Sequence, residues 1–278
     1  MLKRIITSIC AVCVLVPVLW FSQTVILPIG IALVALIATY EMAKCMGLDK
    51  CFGIILPVYT FAAASPFLLR YVNFDSYLKI TFIVAALYLL FIFFLIVRSH
   101  GKLGFQNTLA FFAVSCYIMT ALNAILYIHD KANNGRFLYL LIFLGAWITD
   151  IFAYFTGVFF GKHKLIEDVS PKKTIEGSIG GIFCCALFYV VYGLIISHFF
   201  AIEVNLVLLG VSGLVLSVIS QIGDLIMSVI KRHYGIKDFG KIFPGHGGVL
   251  DRFDSILAVS LGLAAITAFC ALTSLPLM

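Results

Sequence analysis

The chain has 278 residues, 63% of them hydrophobic and 12% charged, with a formal net charge of +6. Soluble domains carry about 25% charged residues, so a soluble globular protein is excluded and a polytopic membrane protein remains. No stretch between apolar runs reaches the ~50 residues at which a separate domain begins, and residues 1–278 read as a single membrane-embedded domain.

A helix crosses the hydrocarbon core with ~20 mainly apolar residues. Nine runs qualify in chain order: 5–21, 25–41, 52–69, 78–97, 107–128, 137–160, 178–200, 204–230 and 253–275. The expected fold is therefore all-α, with about nine transmembrane helices. Only Ser22, Gln23 and Thr24 separate the first two runs. Merged, they would form a helix of ~50 Å against a core of ~30 Å, so two spans are expected. Lys3 and Arg4 ahead of the first run resemble a signal peptide, but no small-x-small site follows Trp20, and a retained span is expected. Residues 1–130 offer little beyond hydrophobic character, whereas 137–278 carry the chemistry. The eight cysteines lie mostly in apolar runs, without metal-ligand spacing.

Lys and Arg are biased to cytoplasmic loops. With the N-terminus cytoplasmic, nine spans put 15 of the 19 Lys and Arg residues on that side, including Lys3, Arg4, Lys102 and the basic residues between Lys162 and Arg252. The other face receives only Arg70, Lys79, Lys131 and Arg136. The positive charge thus reports topology, and no nucleic-acid partner is expected.

Two polar loops then share the cytoplasmic side. The first, 161–177, contains Ser170-Pro171-Lys172-Lys173-Thr174. Ser170-Pro171 reads as a helix N-cap and first helical residue, placing Lys172, Lys173 and Thr174 in a first turn whose free N–H groups favour an anion. Equally, these lysines suit ordinary positive-inside charge. The second loop begins on the eighth span, and residues 228–254 hold Lys231, Arg232, Lys237, Lys241 and Arg252 beside Asp238, Asp251 and Asp254, with Gly247 and Gly248 among five glycines. Spanning a bilayer requires none of these, and the pattern points to phosphate.

Asp150 and Asp224 lie inside spans, where ionisable side chains are costly and mark function. Ser220, Asp224, Ser228 and Lys231 share one face of the eighth helix, and Asp150, Tyr154, Gly157 and Gly161 share one face of the sixth. Asp224 and Asp251 are candidate ligands for Mg²⁺, which takes oxygen donors and one or two carboxylates besides phosphates; Asp150 is a candidate further position. Alternatives stand beside these roles: Asp150 as an interhelical hydrogen-bond partner, Asp251 as an N-cap, Asp254 as a first-turn stabiliser, and His246 as either a phosphate donor or a loop residue.

The run Ser228 to Arg232, then Lys237-Asp238, Pro244-Gly-His-Gly-Gly248 and Leu250-Asp-Arg-Phe-Asp254, closely resembles phosphatidate cytidylyltransferase, also called CDP-diacylglycerol synthase. The resemblance extends upstream through Gln221 to Leu225, Ser170 to Thr174 with Glu176-Gly177, and Asp150, covering about 145–256. Met227 and Val158 depart from the pattern, standing where many members have an acidic and a basic residue. The resemblance implies attack of phosphatidate on the α-phosphorus of CTP. It assigns Asp224, Asp251, Lys237 and Arg252 to catalysis. Substrate and phosphate contacts fall to Ser170, Lys172, Lys173, Thr174, Ser228, Lys231, Arg232, Asp238, His246, Gly247, Gly248 and Asp254. It also implies Mg²⁺ with a second, monovalent cation, a homodimer, and a bacterial plasma (inner) membrane with the site facing the cytoplasm. Two other readings are a CTP-dependent polyprenol or dolichol kinase and an ion or organophosphate transporter with Asp150 and Asp224 as a relay. The gathering of polar residues in the second half, on one face, suits an interfacial enzyme better than a transporter.

Overall fold

The computed structural model describes residue 13 and residues 16–100, 103–243, 245 and 247–278. Most of the expected span 5–21 lies outside these residues, as do Lys3, Arg4, Lys102, Pro244 and His246. Residues 16–20 are helical and a turn follows at 21–25, where Thr24 N–H donates to the Phe21 carbonyl at 3.0 Å. The break expected near Ser22 is thus present.

Among the described residues, eight helices are long and apolar enough to cross a membrane. They are α1 (Ile26–Cys45), α2 (Phe52–Tyr71), α3 (Phe74–Arg98), α4 (Phe105–Lys131), the combined span of α5 (Gly135–Leu138) and α6 (Leu140–Phe160), α7 (Ile175–Phe200), α8 (Leu206–His233) and α9 (Leu250–Thr273). Most run a few residues past the apolar runs, because a polar residue at a membrane edge satisfies its backbone as readily in a helix as in water. The all-α reading holds, with one addition: a two-stranded antiparallel hairpin, β1 (Lys164–Ile166) and β2 (Ser170–Thr174), pairing Lys164 with Thr174 and Ile166 with Ser170.

The chain divides into two compact units, Met1–Leu126 with Ile236–Asp251, and Tyr127–Gly235 with Arg252–Met278. In the first, α1 packs against α2 and buries Ala32, Ala35, Ala38 and Ala43; small side chains let membrane helices approach closely without a hydrophobic drive from water. Buried Asn123 on α4 donates to Ser65 Oγ on α2 at 2.9 Å, an amide bridge inside the apolar packing. On α3, by contrast, only Tyr77 and Ile92 are buried.

In the second unit, α6 and α7 meet at glycines. A Cβ at Gly181 would lie 2.9 Å from the Thr149 carbonyl and 3.1 Å from Ala153 Cβ, and one at Gly180 would run into Thr156. Fully buried Tyr189 on α7 donates to the Leu141 carbonyl at 2.7 Å, and Thr149 Oγ1 on α6 donates to Ser217 Oγ on α8 at 2.8 Å. These bonds satisfy polar groups that hydrocarbon would leave unpaired.

Candidate active site

The loop containing Lys172 and Lys173 differs from the sequence expectation. Ser170 and Pro171 do not open a helix; residues 170–174 are extended in β2, and α7 begins at Ile175. The reason lies one turn downstream. Thr174 is the N-cap, its hydroxyl accepting the Gly177 N–H at 3.1 Å, and Glu176 reaches back to accept the N–H groups of Lys162 and His163 at 3.1 and 3.2 Å. With the hairpin closed by Glu176 and the helix capped by Thr174, the lysines belong to a strand. Lys172 is exposed and Lys173 is half-buried.

That strand delivers Lys173 to Asp224 on α8, and the two form an ion pair, each side chain 25% exposed. The sequence had placed both at the site without pairing them. Asp224 also acts electrostatically on Asp150 and on Asp254; Lys173 and Arg252 oppose it at Asp150, and Lys231 opposes it at Asp254. The second unit therefore gathers three carboxylates from α6, α8 and α9 with three cations. Gly223 permits this, because a Cβ there would meet Ala258 and, at 3.0 Å, the Asp254 carbonyl. Asp254 Oδ1 accepts the Ser255 N–H at 2.8 Å. Ser228 and Lys231 are half-buried further along α8, Arg232 and Arg252 are exposed, and Tyr154 is exposed on α6. Of the two departures from the family pattern, Met227 is buried and Val158 exposed.

The first unit holds the other polar group. Asp251, in the first turn of α9, does not cap that helix; its Oδ2 accepts the N–H groups of Phe239 at 2.8 Å and Gly248 at 2.9 Å, folding the preceding loop onto itself. Gly247 suits this fold, since its φ of +87° strains other residues and a Cβ would press on the Asp251 carboxylate. The Gly248 amide is thus engaged by the protein itself. Lys237 and Asp238 are exposed on the same loop.

The cap of α9 comes from a residue outside the sequence motifs. Glu41, near the end of α1 and 2% exposed, accepts the Val249 N–H at 3.0 Å and the Leu250 N–H at 2.8 Å. The signal was there, a carboxylate closing the apolar run 25–41, where ionisable groups are costly.

The donors suit a hard cation. Among the described residues no three His, Cys, Asp or Glu side chains form a ready-made metal cage, so Mg²⁺ would rely on one or two of these carboxylates, with water and substrate phosphates completing its shell.

A sequence model of the cytidylyltransferase family matches residues 2–270. The chain belongs to this family. As a cytidylyltransferase family member it is a nucleotidyltransferase set in a membrane. Similar proteins include a phosphatidate cytidylyltransferase of Staphylococcus aureus (strain COL), 35% identical over 267 residues, spanning 92% of this chain and 95% of the relative. A phosphatidate cytidylyltransferase of Staphylococcus epidermidis (strain ATCC 35984) is 41% identical over 165 residues, 59% of this chain and 60% of that protein. That of Staphylococcus haemolyticus (strain JCSC1435) is 32% identical over 262 residues, 92% and 95% of the two chains.

Proposed function

We propose that this cytidylyltransferase converts CTP and phosphatidate into CDP-diacylglycerol and pyrophosphate. The observation that carries the reading is the set of carboxylates and cations gathered by α6, β2, α8 and α9 in a chain similar over 92% of its length to a phosphatidate cytidylyltransferase. A phosphatidate oxygen attacks the α-phosphorus of CTP. The new O–P bond forms as the bond from that phosphorus to the bridging oxygen breaks, and pyrophosphate leaves with the electron pair. The nucleophile is already an anion, so no strong base is needed. The barrier lies in bringing two polyanions together.

Lys172, Lys173, Lys231, Arg232, Lys237 and Arg252 hold the phosphates and offset that repulsion. Ser170, Thr174, Ser228, Asp238, His246, Gly247 and Asp254 form the surrounding polar contacts, and Gly248, whose N–H bonds Asp251, shapes the loop instead of binding phosphate. Asp224 and Asp251 are the proposed ligands of Mg²⁺, and Asp150 a candidate position for the second, monovalent cation. When bound, Mg²⁺ supplies charge neutralisation on the triphosphate and the leaving pyrophosphate. The asymmetry of Lys and Arg supports a cytoplasmic site in a bacterial plasma membrane, and lysines at a membrane edge suit an anionic headgroup. The resemblance alone supports a homodimer.

The test is product analysis of the purified chain in detergent with CTP, phosphatidate and Mg²⁺. CDP-diacylglycerol and pyrophosphate are expected. Release of CDP with a phosphorylated lipid would replace the reading by that of a CTP-dependent kinase.

A further inference from the structure

The buried Glu41 carboxylate has no part in the proposed reaction, yet the loop leading to Asp251 is built around it. It bonds Val249 and Leu250, more than two hundred residues away in sequence. Two glycines of the same loop make room for it: a Cβ at Gly240 or Gly248 would collide with the Glu41 carboxylate. An anion at a helix N-terminus is favoured by the free N–H groups and the dipole, so Glu41 occupies a place that a phosphate could otherwise take. The next residue along, Asp251, turns Oδ2 to Phe239 and Gly248. One carboxylate thus fixes the amides at 249 and 250, the other those at 239 and 248.

We propose that Glu41 is a positioning residue for Asp251. By holding the first turn of α9 and the glycines packed on it, Glu41 sets where the Asp251 carboxylate stands and so how tightly it binds a divalent cation. The inference rests on the reading of Asp251 as a cation ligand. Groups behind metal ligands usually cost about 10–100-fold in metal affinity when changed.

The experiment uses the full chain in detergent and Mn²⁺ as a spectroscopic probe, with bound Mn²⁺ counted by electron paramagnetic resonance and amide exchange followed across 236–251. Glu41→Gln keeps the shape but loses the charge and one acceptor. It is expected to weaken Mn²⁺ binding about tenfold or more and to speed exchange in 236–251 while leaving α6, α7 and α8 protected. Glu41→Asp, one methylene short, should fall between the two. Unchanged Mn²⁺ binding in Glu41→Gln overturns the proposal. So does unfolding of both variants, which would make Glu41 a support of the fold alone. If the unaltered chain makes no CDP-diacylglycerol while Glu41→Gln still weakens Mn²⁺ binding, the functional reading fails and the positioning role stands.

Discussion

Asp224 is the residue on which the second unit's polar group turns, since it pairs with Lys173 and acts on both Asp150 and Asp254. Replacing it by asparagine keeps the size and removes the charge. Asp224→Asn should lower pyrophosphate release about 100-fold or more, and near-normal turnover would remove Asp224 from the cation site. Asp251→Asn is expected to lose activity to a similar extent. One oxygen of the new amide can still accept the Phe239 and Gly248 N–H groups, so amide exchange across 236–251 should stay slow, separating loss of charge from loss of the loop. Asp224 was legible from sequence because a carboxylate inside an apolar run is conspicuous. Glu41 was not singled out, because it stands at the end of its run, and its partners Val249 and Leu250 carry no mark in sequence of what their amides bond.

At the scale of elements, length and apolarity alone located the eight spans seen among the described residues, since a membrane helix has little freedom to be anything else. The β1–β2 hairpin was hidden because Ser-Pro is as good a helix start as Thr174 is, and choosing between them depends on Glu176 folding back to residues 162 and 163. Helical periodicity shows which residues share a face but not which helix faces which, so the pairing of Lys173 with Asp224 was beyond it. The α6–α7 seam is where an element-level change should be felt most. Gly181→Val would place new atoms against the Thr149 carbonyl and Ala153, and overpacking of this kind costs about 1–3 kcal/mol. Thr174→Ala removes the cap of α7 and should cost about 1 kcal/mol. Both should appear as lower unfolding midpoints in detergent, with Gly181→Val showing the larger fall; an unchanged midpoint in Gly181→Val would mean that the two helices do not close on one another there.

For the whole molecule, successive spans must alternate across the bilayer, so one sidedness fixes all the others. In a background lacking the native cysteines, Asp168→Cys in the hairpin turn should react with a membrane-impermeant maleimide only in inside-out vesicles. Glu203→Cys, between α7 and α8, should react only in right-side-out ones. Labelling of both from the same side would break the alternation, and exchange of the two patterns would invert the proposed orientation.

The ion pair between Lys173 and Asp224 has one more consequence. The Asp224 carboxylate already has a counter-ion, so the divalent cation proposed there would compete with the Lys173 ammonium, and an ammonium so displaced would need another negative partner. A triphosphate is such a partner. Cation and nucleotide should therefore promote one another's binding, and thermodynamic reciprocity makes that effect equal in both directions. On the proposed reading, the half-buried lysine would act as a latch that offsets the Asp224 charge and passes to the nucleotide when the cation takes its place.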